Sequence, residues 1–188
     1  MKKAAIGVVI LMVSVVRLYA QELYYTDNGH VDFYSSAPVE DIKADNNRVT
    51  SFLKTNGDLV FAIPIRSFEF EKSLMKEHFN EKYMHTDKYP KANFKGRIIN
   101  VDEVDFSKDG IYDATVEGDM TIHGITKPYK VEGTLEVKGE QIIAKAKFPV
   151  AVKDHDIEIP KLLVKNIAEV VEVTVDITYT PHTKSSSN

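Results

Sequence analysis

Six histidines are the side chains in this sequence best suited to proton transfer or metal ligation: His30, His78, His85, His123, His155 and His182. Their spacing gives no H-x-H pair and no i, i+4 pair on a helix, and His78 and His85 are separated by an expected helix end. Asp154-His155-Asp156 offers nitrogen and oxygen ligands only to a site assembled from distant strands, so no metal and no cofactor is assigned. The chain has no cysteine, which removes a thiol nucleophile, a Cys-ligated zinc or iron–sulfur site, a disulfide framework and a cysteine lipid anchor. A G-x-S-x-G elbow and the Walker and Rossmann glycine loops are absent. The 28 acids include no pair that sequence can place face to face, as a glycosidase would need, and most fall on the polar phase of alternating strands. No catalytic residue is assigned; a metal-dependent hydrolase is kept only as an alternative.

The elements that carry these residues repeat with period two. Tyr112, Ala114, Val116, Gly118, Met120 and Ile122 share one face, opposed by Asp113, Thr115, Glu117, Asp119 and Thr121. Val131, Gly133, Leu135 and Val137 form the next inward face. Ile142, Ala144, Ala146, Phe148 and Val150 follow, then Val171, Val173, Val175, Ile177 and Tyr179. Upstream, Val31, Phe33 and Ser35 alternate, Val49 to Lys54 reads as strand, Asn56-Gly57 signals a hairpin, and Leu59, Phe61, Ile63 and Ile65 share a face. Pro64 suggests an edge or a bulge. Phe94, Gly96 and Ile98 open a strand expected to run to Phe106. Between Glu71 and Asn80 the period changes: Leu74, Met75, His78 and Phe79 fall at helical spacing, Asn80 reads as the stop, and a further turn spans 81–84. About eight or nine antiparallel strands with no βαβ rhythm give an all-β sandwich or barrel.

Residues 1–20 have the order of an export signal: Lys2-Lys3, an uncharged stretch from Ala4 to Val16 too short for a comfortable span, and Leu18-Tyr19-Ala20 before Gln21-Glu22. An uncleaved N-terminal anchor is the alternative. Cleavage would remove three positive charges and move the formal charge from −4 to −7. An acidic chain is a poor match for nucleic acid, and the remainder holds no stretch that spans a bilayer. The domain is read over 21–182, with a frayed polar tail at 183–188 and a periplasmic or secreted location. With 43% hydrophobic residues the chain has material for a core without disulfides.

Gly96, Ala114, Gly118, Gly133, Ala144 and Ala146 are small residues on inward faces, and two readings fit them. They leave volume in a hollow barrel, or they mark bulges and strand crossings. On the first reading, Gly118→Phe fills the lumen and lowers ligand capacity more than stability.

Two segments then resemble a known family: His78-Phe79 with Lys88-Tyr89-Pro90-Lys91-Ala92-Asn93-Phe94, and Val116 to Pro128, read as G-x-L-T-I-x-G-x-T-K-P with Met120 in place of leucine. Residues 28–180 are similar to the YceI-like, or polyisoprenoid-binding, family. The resemblance implies an extended, lipocalin-like antiparallel β-barrel with a short helical insertion near residues 71–84. It also implies an exported protein holding an isoprenoid or fatty-acyl-type lipid in an apolar cavity, and a homodimer. Lys153 to Pro160 departs from the family's pattern. Gly124 and Thr126-Lys127-Pro128 read as hairpin geometry, with His123 a turn residue. The expected ligand-lining residues are Phe33, Phe61, Ile63, Phe94, Ile98, Tyr112, Ala114, Val116, Met120, Ala144, Ala146, Phe148, Val173 and Val175, with Leu74, Met75 and Phe79 of the helix as a lid. The alternative for all of them is a filled core in a structural or protein-interaction module.

Overall fold

A computed structural model describes residues 22–160 and 166–182, so the export signal read over 1–20 and the tail read over 183–188 lie outside the described residues. Nine strands occur among them: β1 (Leu23–Ser36), β2 (Asp41–Lys54), β3 (Asp58–Pro64), β4 (Glu69–Phe70), β5 (Lys91–Ile98), β6 (Gly110–Ile122), β7 (Ile125–Lys138), β8 (Gln141–Ala151) and β9 (Val170–Pro181). Every pairing is antiparallel, in the order β1-β9-β8-β7-β6-β5-β3-β2, and β1 pairs back onto β2. The ring is therefore a closed eight-stranded barrel, and the two-residue β4 is added outside β2. Among the described residues, closure leaves no long sheet edge exposed.

The alternation read from sequence sets which side chains enter. Leu135, Val137, Ile142, Ile177 and Tyr179 are buried, while their strand neighbours Glu136, Lys138, Gln141 and Thr178 point outward. Outside, Lys130 pairs with Glu117 (3.0 Å) and Lys145 with Asp176 (3.3 Å) across adjacent strands. Such exposed pairs contribute at most about 1 kcal/mol each and serve solubility. At the β6–β7 connection His123 and Gly124 both have positive φ, 50° and 80°. That makes a two-residue turn whose twist matches the strands, a conformation glycine adopts without strain.

Three boundaries differ from the sequence reading. β1 begins at Leu23 rather than near Val31, because Tyr24 and Thr26 are buried in phase with the same inward face. Its pairing shifts between Thr26 and Val31, where Gly29 sits under the Ile177 side chain; that bulge broke the visible alternation. β5 stops at Ile98 and does not reach Phe106. Asn100 replaces the next ladder residue: its Oδ1 accepts from the Thr115 amide (2.8 Å) and its Nδ2 donates to the Asp113 carbonyl (3.0 Å). A side chain with both functions competes with the backbone for the ladder, and the chain turns through a 3-10 segment at Val101–Glu103.

The helix α1 spans Ser73–His78, and Asn80 does not stop it. Asn80 Nδ2 donates to the Lys76 carbonyl (2.7 Å), and the chain continues through a π turn at Phe79–Tyr83 that closes with the Met84 amide on the Phe79 carbonyl (2.9 Å). A π turn widens the helix locally and re-aims its side chains. Pro64 stands at the end of β3, opposite Lys91, a position where a missing amide donor is tolerated.

Candidate functional site

The barrel encloses a cavity of about 410 Å³ whose walls are almost wholly apolar. Its floor is built where β2 ends, β3 begins, β5 ends and β9 ends. Leu53, Ile98 and Tyr179 meet there, each at most 1% exposed, together with Leu59. The Tyr179 hydroxyl lies 2.6 Å from Ser51 Oγ, which itself donates to the Val60 carbonyl (2.8 Å). The phenol therefore donates to Ser51. Complete burial, which disfavours the charged phenolate, pushes the Tyr179 hydroxyl pKa far up.

The middle of the cavity is lined by Phe61, Phe94, Ala114, Val116, Ala144, Ala146 and Val175. At the other end, Phe33 on β1, Phe68, Phe70 on β4 and Phe79 from the π turn gather around the mouth. Their ring centroids are 5.5 Å apart for Phe33 and Phe79, 5.0 Å for Phe70 and Phe79, and 5.4 Å for Phe33 and Phe68. Aromatic neighbours at these separations attract beyond their burial alone. Met75 of α1 completes the rim, with Glu40 and His78 beside it. Glu40 is held by Lys72 Nζ (2.6 Å), and His78 Nε2 faces Lys82 Nζ (2.9 Å).

Of the residues expected to line a cavity, Phe33, Phe61, Ile63, Met75, Phe79, Phe94, Ile98, Ala114, Val116, Met120, Ala144, Ala146, Phe148, Val173 and Val175 are brought together on its wall. Leu74 and Tyr112 are not on that wall. Leu74 is 58% exposed, because a six-residue helix turns only part of its circumference inward. Tyr112 belongs to the inward phase but stands near the end of its strand, where its hydroxyl donates to the Lys108 carbonyl (2.9 Å). Sequence reasoning missed Phe68, Phe70, Leu53, Leu59 and Tyr179. Leu59 and Tyr179 were in phase with Phe61 and Val175, so the same period extends to them; Phe70 sits on a strand of two residues and Phe68 caps the 3-10 turn before it, so neither belongs to a run long enough to register.

The inward small residues divide. Ala114, Ala144, Ala146 and Gly133 do line the cavity, but Gly96 and Gly118 do not. These two glycines face each other across β5 and β6, and the Phe94 ring lies over both, within 2.7 Å of where either Cβ would stand. A Cβ at Gly118 would also collide with the Gly96 backbone. They are there for close approach rather than for volume. Gly118→Phe therefore disrupts the wall instead of filling the lumen, correcting the expectation drawn from sequence.

The histidines are grouped in a way their spacing hid. His85 Nδ1 is 2.8 Å from His123 Nε2; His123 Nδ1 donates to the His155 carbonyl (3.1 Å); and His155 Nδ1 donates to the Ile125 carbonyl (3.0 Å). His155 Nε2 accepts from the Tyr129 hydroxyl (3.0 Å), so both nitrogens of this fully buried ring are engaged and the sequence-read Asp154-His155-Asp156 ligand set does not converge. Burial, with Asp154 nearby, raises the Tyr129 pKa. The array ties the loop after the π turn, the β6–β7 hairpin and the 152–155 turn together near the mouth. On the outer wall His30 Nε2 approaches Asp32 (3.2 Å) and Asp45 (3.7 Å), and Lys43 Nζ sits 3.1 Å from Asp45.

A family model described as a YceI-like domain matches residues 25–179. Among solved structures, a polyisoprenoid binding domain from Saccharophagus degradans, implicated in plant cell wall breakdown, aligns with a TM-score of 0.75 at 12% identity, covering 87% of this chain and 100% of that one. BcnA from Burkholderia cenocepacia aligns at 0.67 and 14% identity over 80% and 95% of the two chains. The YCEI protein of Campylobacter jejuni aligns at 0.54 and 10% identity over 98% and 100%. At these identities the likeness is one of fold. No curated protein matches the chain.

Proposed function

The chain belongs to the YceI-like domain family, and from that membership we propose that it is a binding protein that shelters the apolar part of an isoprenoid or fatty-acyl-type amphiphile, with no bond made or broken. The observation that carries this is the cavity of about 410 Å³ with apolar walls. Pockets for small ligands typically measure about 300–1,000 Å³. A hydrocarbon entering between such walls leaves its own hydration behind, which is the favourable term for apolar burial. Each buried CH₂ contributes about 0.8 kcal/mol, enough for tight binding without a polar anchor. The polyisoprenoid binding domain among the structural neighbours supports the same reading. The leader-like residues 1–20 support export, to the periplasm or beyond.

The test is direct. Protein purified without detergent is examined by native mass spectrometry and organic extraction, and then offered a fluorescent prenyl probe. Co-purified lipid, or saturable one-to-one uptake of the probe, is expected. A protein that yields no lipid and takes up no probe overturns the proposal.

A further inference from the structure

We infer that the outer wall of the barrel carries a site for one divalent transition-metal cation of the Zn²⁺ type, held by His30 Nε2 and the carboxylates of Asp32 and Asp45. The site lies on the opposite face of β1 from the cavity, and it stands or falls independently of the lipid-binding reading.

Strand register builds it. Gly29 pairs with Val49 and Val31 with Asn46, so two residues of β2, Asn47 and Arg48, stand opposite the single residue His30. A bulge of this kind bends the strand and re-aims its side chains. Asn46 fastens it from within: it is fully buried, its Oδ1 accepts from the Arg48 amide (2.9 Å) and its Nδ2 donates to the Pro64 carbonyl (2.9 Å). Val31 enters the core, so His30 and Asp32 share the outward face. Asp32 is directly opposite Asp45 in the ladder. Like charges in that relation are destabilising, and the Asp32 side chain is only 14% exposed, so water does little to relieve them.

The histidine tautomer turns the three side chains into a ligand set. Asn47 Oδ1 lies 2.7 Å from His30 Nδ1. An amide oxygen only accepts, so Nδ1 carries a proton, and the neutral ring aims its lone pair on Nε2 at Asp32 (3.2 Å) and Asp45 (3.7 Å). Acceptor faces acceptor, an arrangement that a positive charge between them satisfies. A second ring proton serves Asp32 alone, because 3.7 Å to Asp45 is too long for a hydrogen bond. One ion serves both. Two donors each about 2.1 Å from a common ion lie about 3.0 Å apart at a right angle and about 3.4 Å apart at the tetrahedral angle. Asp32 stands within that range, and Asp45 enters it by a small side-chain adjustment.

The surrounding charges allow this. Lys43 Nζ is 3.1 Å from Asp45, but the lysine side chain is 57% exposed and free to swing aside. Asp176, opposite His30 on β9, is occupied by Lys145 (3.3 Å). An imidazole with two carboxylates suits zinc and its first-row neighbours, whereas Ca²⁺ and Mg²⁺ prefer shells of oxygen alone. Asn47 grips the second ring nitrogen, as the outer partner of a ligating histidine does. The bound ion would staple β1 to β2 at their bulge, with water completing its shell.

The experiment uses full-length protein without an affinity tag, stripped with a chelator and titrated with Zn²⁺ at about pH 7.5, where an ordinary imidazole is neutral. Co²⁺, whose visible absorption reports its ligands, is the second probe. Saturable one-to-one binding is expected, with a melting temperature raised by about 5–10 °C when Zn²⁺ is in hundredfold excess over its dissociation constant. His30→Gln and Asp32→Asn should abolish that binding, and Asn47→Ala should weaken it about 10–100-fold. Lys43→Ala, which removes the competitor for Asp45, should tighten it. Circular dichroism establishes that each variant is folded. No saturable binding, or binding that His30→Gln leaves unchanged, overturns the site. Equal binding of Mg²⁺ overturns the class of ion, and weaker or unchanged binding in Lys43→Ala overturns the place of Asp45 in the set.

Discussion

At one end of the barrel Leu53, Ile98, Ile142, Ile177 and Tyr179 are sealed from solvent, none more than 1% exposed. At the other, Phe33, Phe70, Met75 and Phe79 stay half-buried around the mouth, and Val39, Leu74 and Val170 lie open to water. The strands are the same at both ends, so the difference comes from what is laid across them. The closed end is packed strand to strand and pinned by one buried phenol. The mouth is covered by a six-residue helix, a π turn and loops tied by histidines. Close packing transmits stability, and short elements with few buried contacts open first. One end should therefore hold the fold and the other should admit the ligand.

That contrast can be broken by experiment. The largest effect is expected from Leu53→Ala, which opens a void beneath a side chain with no exposure and should cost about 2–5 kcal/mol in denaturant unfolding. If Met75→Ala at the rim costs as much, the two ends do not differ as described. His155→Ala comes next: it strips partners from the Tyr129 hydroxyl and the Ile125 carbonyl and should lose about 1–3 kcal/mol. Hydrogen exchange should loosen in the 84–90 loop and the β6–β7 turn while the floor stays protected; uniform loosening would contradict the division.

Tyr179→Phe should cost only about 1 kcal/mol, with a signature in alkaline solution. Burial raises the phenol's pKa in the fold, so the neutral form is favoured there. The stability it contributes is whole below the unfolded phenol value of about 10 and is lost as pH rises above it. Tyr24, Tyr83 and Tyr129 are also raised, chiefly by burial. The variant should therefore lose less stability than the parent between neutral and strongly alkaline pH, without becoming pH-independent. An identical alkaline slope would mean that the floor phenol is reached by water. The smallest effect belongs to Leu74→Ser, within about 0.5 kcal/mol, because Leu74 faces water rather than the cavity. A large loss there would place the helix differently.

Much of this was legible in the sequence, and unevenly. The long strands β6 to β9 were readable because each buries one face and wets the other, so Val173 and Val175 declare their side of the wall by phase alone. The middle of the cavity was readable for the same reason. The mouth was not: Phe70 sits on a strand too short to show a period, Phe68 caps the 3-10 turn just before it, and Asn80 lies inside a π turn that continues from the helix it was expected to stop. The histidine array was invisible because His85, His123 and His155 meet only through tertiary folding. The glycines misled for a chemical reason. An inward glycine signals missing side-chain volume, and sequence does not say whether a cavity or the Phe94 ring fills it.

The seam between β1 and β9, where Tyr34 faces Glu172 and Tyr25 faces Thr180, has a kinetic consequence. It joins residues separated by nearly the whole described chain, and contacts of such long range form slowly because the intervening loop must close first. During synthesis, β1 to β8 can all be made and still leave β1 and β8 each with an unpaired side, since β9 is the strand that fills the gap between them. The ring cannot shut until residues 170–181 have emerged. A growing chain with that topology remains an open, threadable ribbon until its last strand arrives.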